Sequence, residues 1–211
     1  MNRREVKEIL DKLSEEYPNA GPELDFGSPF ELLVAVILSA QCTDKRVNAV
    51  TSELFLTHNR PEHFAAMPQE ELERKIYTCG FFRMKAAHII SASGSILQNF
   101  GGEVPRTLEE LQTLAGVGRK TANVVYAAAF QGDAIAVDTH VFRVSNRIGL
   151  ASAKDVFKTE LQLMENIDKS IWTKSHYLLI LHGRRVCKSQ RPLCGVCAVR
   201  EHCRYYAKMT K

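Results

Sequence analysis

The chain has 211 residues, of which 45% are hydrophobic and 25% charged, and its net charge is +4. These values are ordinary for a globular protein and allow one sizeable core or two modest ones. Residues 1–7 run directly into an amphipathic helix pattern, so we expect no signal peptide. The longest apolar run, residues 30–40, contains Glu31 and is too short to span a bilayer. We therefore expect a cytoplasmic protein without membrane segments.

Helical patterns with start and stop signals follow one another along the chain, and strand alternation is absent. The first pattern places five apolar side chains on one helix face and ends at Pro18 (Val6, Ile9, Leu10, Leu13, Tyr17). Capping boxes at Ser28–Glu31 and Thr107–Glu110 predict two further helix starts. Other helices are predicted at 44–56, 68–77, 83–100 and 119–130, from 139, from 154, and at about 170–186. The sequence predicts an all-α fold.

A pair of glycines separates two of these helices. Gly116, Val117 and Gly118 lie between the short helix after Thr107 and the helix that begins at Arg119. Glycines permit left-handed torsions and close approach of a partner, and the free N–H groups at a helix start form a seat for phosphate. The general interpretation is a tight helical corner. The sharper one is a helix-hairpin-helix that grips a DNA phosphate without reading the base sequence.

Lys120 falls in the first turn of the second helix of this hairpin. Beside a phosphate seat, a lysine can serve as a phosphate clamp or as an amine nucleophile. A helix N-terminus disfavours the charged ammonium, and the neutral amine is the form that attacks carbon. Lys120 is therefore our leading catalytic candidate.

Asp138 follows Lys120 by eighteen residues and lies where a helix N-cap belongs. Aspartate is a favoured cap, and a cap at the edge of a cleft can also touch a substrate, so the two interpretations are compatible. His140 and Arg143 lie one helical turn apart. They are either surface residues or phosphate contacts.

The basic residues are concentrated near the end of the chain. Residues 184–211 contain eight of the 28 Lys and Arg but one of the 24 acids, Glu201, so the first 183 residues carry 20 basic and 23 acidic residues, a net charge of −3. Such a local excess is typical of a surface that meets a polyanion, although a solvated basic tail is the simpler alternative.

Four cysteines lie within this basic segment, with the spacing C-x6-C-x2-C-x5-C (Cys187, Cys194, Cys197, Cys203). In a cytosolic chain, clustered cysteines favour a metal site over disulfides. Four thiolates suit structural zinc or a [4Fe–4S] cluster. Because only one close pair is present, the spacing favours the cluster. The loop between the first two cysteines carries Lys188 and Arg191, which are well placed to meet DNA phosphates.

The motifs together resemble the endonuclease III family of the helix-hairpin-helix superfamily, whose members are DNA glycosylases and abasic-site lyases. The resemblance extends from end to end and rests on five stretches and the cysteine spacing (residues 28–33, 38–41, 114–123, 137–144 and 179–184). It implies two helical domains with DNA bound in the cleft between them. One is a six-helix barrel, about residues 22–132, with the hairpin at about 107–130. The other combines residues 1–21 and 133–211 and holds the iron–sulfur cluster at 187–203.

The resemblance also implies roles for single residues. Lys120 and Asp138 match the family's catalytic pair, and the four cysteines match its cluster ligands. Gln41 matches the residue that fills the space left by an extruded nucleotide. Phe81 stands where the family often has a leucine wedge; an aromatic wedge also unstacks bases, and we expect it to affect the preference for the opposite base. The hairpin residues and Thr121 are expected to contact DNA, and Ala115 replaces a proline that is common in the family.

The activity implied is base excision repair of double-stranded DNA carrying oxidised pyrimidines or abasic sites. Lys120 would attack C1′ of the flipped nucleotide, and β-elimination through a Schiff base would cut the strand. We expect a monomer that acts at the nucleoid, as bacterial repair enzymes do. Two alternatives remain: a glycosylase of the adenine-mismatch type, which normally lacks this lysine and has an additional domain, and a non-catalytic DNA-binding module whose cysteines hold zinc.

Overall fold

The computed structural model describes residues 1–210; Lys211, the last residue of the predicted basic segment, lies outside them. The described residues form α-helices joined by short loops and 3-10 turns, without strands. The prediction of an all-α fold is confirmed. The α-helices, in chain order, are α1 (Arg3–Glu16), α2 (Pro29–Ser39), α3 (Asp44–Leu54), α4 (Pro61–Ala65), α5 (Gln69–Ile76), α6 (Phe82–Asn99), α7 (Leu108–Leu111), α8 (Arg119–Phe130), α9 (Thr139–Ile148), α10 (Val156–Asn166), α11 (Trp172–Arg185) and α12 (Arg204–Met209).

The chain divides into two compact units, each with its own core. Unit 2 is the continuous stretch Pro22–Gly132, and unit 1 combines Met1–Gly21 with the chain from Asp133 onward. No helix within residues 1–210 is both long and apolar enough to cross a membrane.

Unit 2 is built around α2, whose residues Phe30 and Leu32 to Leu38 are all buried. Helices α3, α6 and α8 pack against it, and α4 and α5 pack on α6. Burying a Leu, Ile or Val side chain contributes roughly 1.5–3 kcal/mol, so this apolar helix is the main stabilising element of the unit. Cys79 is buried here, whereas Cys42 is only half-buried.

Unit 1 brings the start of the chain together with its last third. The apolar stripe of α1 is buried as predicted, and α1 packs against α11, which in turn packs on α9. Helices α10 and α12 also pack on α9. Helix α9 is thus the centre of this unit, and it carries three of the predicted site residues: its N-cap Asp138, His140 and Arg143.

Two local predictions need correction. Ser28 caps α2 by accepting the Glu31 N–H, but Glu31 returns its carboxylate to the Gly27 N–H rather than to the cap, so the capping box is half formed. Thr107 likewise accepts the Glu110 N–H, while the Glu110 carboxylate accepts from the Thr107 hydroxyl. A complete capping box occurs instead at Asn2 and Glu5, which start α1. In each case the carboxylate takes the nearest free donor.

Candidate functional site

The hairpin between α7 and α8 has the geometry of an open anion seat. Gly116 has φ +77°, and a Cβ there would lie 2.9 Å from the Cβ of His88, so only glycine fits. Val117 is buried and anchors the turn through its N–H, which donates to Leu114 O at 3.1 Å. Gly118 is the N-cap of α8 with an extended backbone (φ −85°), so the expected left-handed torsion is found only at Gly116. No atom lies within 4 Å of the Cβ position of Gly118, which leaves space for a partner.

Lys120 is exposed in the first turn of α8, as predicted. The N-cap Gly118 has no side chain with which to cap the helix, and N–H groups in a first helical turn have no acceptor inside the helix. The N–H of Ala122 donates to Gly118 O at 2.9 Å. Lys120 therefore lies at the positive dipole end of α8, directly after the hairpin glycines.

Asp138 caps α9 by accepting the Val141 N–H with Oδ1 at 2.7 Å. It follows four buried residues, 134–137, which fix the entry into the helix. The cap uses one carboxylate oxygen, so Oδ2 is not needed for it. The capping interpretation is confirmed, and the half-buried carboxylate still offers one oxygen to a ligand. Asp138 belongs to unit 1 and Lys120 to unit 2.

Arg143 makes hydrogen bonds inside unit 1. Its guanidinium donates to Cys187 O and Gly183 O, both at 3.0 Å, and lies 3.2 Å from Nδ1 of His140. These bonds tie α9 to the end of α11 and to the start of the cysteine segment. The geometry therefore favours a positioning role for Arg143 over a free phosphate contact.

Arg147, one turn further along α9, was not predicted as a site residue. It donates to Lys188 O at 2.6 Å and to Ser189 O at 2.9 Å, and it lies 3.6 Å from the Cys187 thiol. Its guanidinium also stacks over Tyr205 at 4.6 Å. The i, i+4 spacing from Arg143 was the available signal, because both arginines share one helix face.

The loop that carries Lys188 and Arg191 is closed at its base and exposed at its tip. Leu193 N–H donates to Val186 O at 3.0 Å, and Lys188 and Arg191 are both exposed. Arg191 has φ +49°, a left-handed conformation that turns the chain at the tip. Two cationic side chains are therefore presented to solvent on a loop held by Arg147.

The four predicted cysteines line a single pocket and form no disulfide. The other walls are largely apolar (Ile148, Val186, Pro192, Tyr205, Tyr206). Burial raises the pKa of the Cys197 and Cys203 thiols; a bound metal would reverse this, because coordination deprotonates a thiol. Among residues 1–210, no three His, Cys, Asp or Glu side chains are arranged to hold a single metal ion. The fit to a metal group therefore rests on the four thiol donors and their common pocket.

His182 links this pocket to α1. Its ring is buried, with Nδ1 3.1 Å from the Tyr17 hydroxyl and Nε2 3.5 Å from the Cys197 sulfur. Burial lowers the pKa of His182 to about 4 and raises that of Tyr17 to about 12, so both are neutral at pH 7. Local sequence patterns predict no specific role for His182, because its partners are 165 and 15 residues away along the chain.

Gln41 and Phe81, the two residues expected to enter the DNA base stack, are exposed on adjacent loops of unit 2. Both are non-glycine residues with left-handed torsions, at φ +53° and +58°. Gln41 follows the end of α2, and Phe81 is the N-cap of α6. The structure thus brings these two together in unit 2, and it gathers α9 and the cysteine pocket in unit 1.

A model of the family described as HhH-GPD superfamily base excision DNA repair protein matches residues 34–169. The match spans well over half of the chain, including the hairpin and Asp138. The class of the protein is therefore that of base excision DNA repair proteins with a helix-hairpin-helix.

Relatives of the full chain narrow this class. Endonuclease III of Bacillus subtilis is 48% identical over 100% of this chain and 97% of its own length, and that of Escherichia coli K12 is 43% identical over 99% of both. A trapped covalent intermediate of endonuclease III with DNA matches with a TM-score of 0.94 at 43% identity, covering both chains fully. The chain belongs to the endonuclease III family. A thermostable thymine-DNA glycosylase, 21% identical with a TM-score of 0.87, shares the fold.

Proposed function

We propose that the protein is a base excision repair enzyme with two activities, removal of oxidised pyrimidines from duplex DNA and cleavage of the abasic site that results. The observation that carries the proposal is the exposed Lys120 in the first turn of α8, directly after the hairpin glycines. The 43% identity to a protein trapped as a covalent intermediate with DNA supports a covalent mechanism.

The hairpin binds backbone phosphate, and the lysine acts on the sugar. The N–H groups of the hairpin and the first turn of α8 hold a phosphate oxygen beside the damaged nucleotide. The lysine is then delivered to the same nucleotide without any reading of base sequence, which suits an enzyme that must work wherever damage occurs. Extruding that nucleotide costs a few kcal/mol, less for a damaged base.

Lys120 is the nucleophile. The lone pair of Nζ attacks C1′, and the bond between C1′ and the base breaks with its electrons leaving on the base, which takes up a proton. Nζ gives up a proton, its lone pair then displaces the ring oxygen by breaking the C1′–O4′ bond, O4′ takes up a proton, and a protonated imine joins Lys120 to C1′. The imine acidifies the C2′ proton; its loss expels the 3′ phosphate and breaks the strand on the 3′ side.

Asp138 assists this step through its carboxylate. It takes a proton from the lysine or stabilises the positive charge that develops on the sugar, and both roles need an anion close to the reacting carbon. The Val141 N–H fixes the orientation of the carboxylate, because the cap occupies Oδ1 at 2.7 Å. Gln41 and Phe81 fill the space left in the base stack.

We further propose that Cys187, Cys194, Cys197 and Cys203 hold a [4Fe–4S] cluster, which suits four thiolates around one pocket with largely apolar walls. The cluster supplies cross-links among four points of the chain and no step of the reaction. The purified protein is expected to contain about four iron and four sulfide per chain. One zinc per chain without sulfide would contradict this assignment.

Borohydride trapping on duplex DNA with one abasic site tests the lyase. The wild-type protein is expected to give a covalent protein–DNA band after reduction of the imine, and Lys120→Ala is expected to give none. Because Lys120 is exposed, the variant should keep its melting temperature and its DNA binding. A wild-type protein that binds this DNA but gives no band would exclude the Schiff-base mechanism.

A further inference from the structure

Gln41 and Phe81, the two residues of unit 2 expected to enter the base stack (the wedge residues), are held in backbone conformations that are unfavourable for these residue types. Gln41 and Phe81 both have left-handed torsions, and the Phe81 side chain is 59% exposed. For a residue with a Cβ, this conformation costs about 1–2 kcal/mol. It persists only where the surrounding structure holds it. Because the side chains of Gln41 and Phe81 are exposed, their packing cannot hold these strained torsions. The contacts that stabilise them must come from the backbone of the two loops and from the residues beneath it.

The two loops are joined to each other beneath these side chains. A Cβ on Gly80 would lie 3.6 Å from the Gln41 carbonyl, so the backbones run close together. Burial, together with the neighbouring Cys42 thiol, raises the pKa of the Cys79 thiol to about 11, so the two thiols, one from each loop, lie close together. Cys42 also closes its own turn, since its N–H donates to Ser39 O at 3.0 Å.

Lys85 holds both loops at once. Its backbone N–H donates to Phe81 O at 3.1 Å, which fixes the loop before α6. Its side chain crosses to α2, where Nζ donates to Leu38 O at 2.7 Å, three residues before Gln41. This carbonyl lies at the C-terminal end of α2, where helix carbonyls lack partners within the helix and the dipole attracts a cation.

Burying a lysine to connect the two loops carries a cost in free energy. Lys85 is 3% exposed, and burial lowers its pKa, although the Cys79 and Cys42 thiols oppose the shift. Replacing buried charges by apolar side chains of similar size often leaves a protein equally stable or more so. Core filling alone therefore does not explain a lysine here, whereas a directed bond to one carbonyl does.

We propose that Lys85 is a positioning residue that presets Gln41 and Phe81 for insertion into the base stack of duplex DNA. The inference rests on the proposed function, because it concerns how the enzyme extrudes its nucleotide. Lys85 does not touch the substrate. It acts by holding two side chains in their strained conformations before DNA arrives, so that binding energy is not spent on ordering them.

Two substitutions of Lys85 remove the hydrogen bond from its side chain to Leu38 O, and a third retains it. Lys85→Met keeps a similar volume but has no donor, and Lys85→Gln has an amide donor that falls one atom short of Leu38. Lys85→Arg keeps a long cationic donor. Each is assayed for cleavage of an abasic site in a duplex and of the same site in the identical single strand. In a single strand the abasic nucleotide does not have to be extruded from a duplex, and no space is left in a base stack for Gln41 and Phe81 to fill.

With the duplex, Lys85→Met and Lys85→Gln are expected to lower kcat/KM roughly 10- to 100-fold, the size of effect seen when a reacting group is misplaced. With the single strand, both should match the wild type, and Lys85→Arg should recover the duplex rate. 2-Aminopurine placed opposite the abasic site should show a smaller rise in fluorescence with the first two variants, because the wedge residues no longer unstack it.

Three outcomes would overturn the proposal: an unchanged duplex rate in either variant, an equal loss on both substrates, or no recovery in Lys85→Arg. A wild-type protein inactive on both substrates would instead overturn the proposed function. Hydrogen exchange of the wild type without DNA needs no variant: the N–H groups of Cys42 and Lys85 should be protected, and fast exchange at both would contradict a preset wedge.

Discussion

Asp138 has one observed task, capping α9, and one proposed task in catalysis, and its two oxygens can separate them. Oδ1 holds the start of α9, and Oδ2 is not needed for the cap. The position of the cap could be predicted from the sequence, because an aspartate before a helical pattern is a common helix start. The proposed catalytic role of the same carboxylate does not follow from the local pattern and rests on the resemblance to the family.

Asp138→Asn and Asp138→Ala should therefore differ. Asparagine keeps an oxygen for the Val141 N–H but loses the charge, so thermal stability should remain close to that of the wild type while the rate of cleavage falls. Alanine loses both, and the free energy of unfolding should drop by an additional ~1 kcal/mol. Thermal melts and single-turnover rates on one abasic duplex give both readouts. Full activity in Asp138→Asn would remove the carboxylate from the mechanism.

At the scale of elements, the two glycines of the hairpin have separate functions. Gly116 is required by its torsion and by the nearby His88, whereas Gly118 has an ordinary torsion and open space in front of it. The sequence pattern predicts the same role for both glycines. Their different requirements could not be predicted, because the difference depends on His88 of α6, which is distant in sequence.

Gly116→Ala is expected to destabilise the protein by at least ~2 kcal/mol through the left-handed torsion and the clash with His88. Gly118→Ala should cost less than ~1 kcal/mol, the loss typical of an N-cap. Its methyl group would instead obstruct the phosphate, so DNA affinity should fall. Urea unfolding and fluorescence anisotropy with duplex DNA separate the effects. Equal DNA affinity in folded Gly118→Ala would argue against a phosphate at the hairpin.

Helix α9 holds the loop of Lys188 and Arg191 through Arg147. Hydrogen bonds from a charged donor contribute about 1.5–3 kcal/mol each, so Arg147→Met should let this loop open more often. Hydrogen exchange at the N–H groups of Lys188 and Leu193, which close the loop, should accelerate at least about tenfold. Arg200→Met is the matched control, because Arg200 bonds only Gly195 O in the same segment. Equal exchange in both variants would contradict the anchoring role.

For the whole molecule, charge distribution matters more than net charge. The excess of positive over negative residues lies in the segment from Arg184 onward, so affinity for DNA should depend strongly on salt. Lys188→Ala and Arg191→Ala should each reduce the slope of log K against log salt by about 0.9. Lys7→Ala, which removes an equal charge from α1, should leave the slope unchanged. Unchanged slopes in the loop variants would show that this loop does not meet phosphate.

The sequence predicted most of the fold, because proline, glycine and cap residues punctuate the helices clearly. Helix α8 has the predicted bounds, and α6 begins one residue before the predicted start. The short α4 was missed, since five residues are too few to show a helical period. The roles of Arg147, His182 and Lys85 were missed for another reason: each depends on a partner at least 15 residues away, which local patterns do not contain.

Unit 1 is assembled from both ends of the described chain, and this has a consequence for the order of events during translation. The stripe of α1 leaves the ribosome before its partner α11, which lies beyond residue 133. Unit 2 is continuous and can fold as soon as it emerges, whereas α1 must wait while more than a hundred further residues are made, on the order of ten seconds. The cysteine segment comes later still. Loading of the proposed iron–sulfur cluster would therefore be a late step of maturation, on a chain whose hairpin can already be folded.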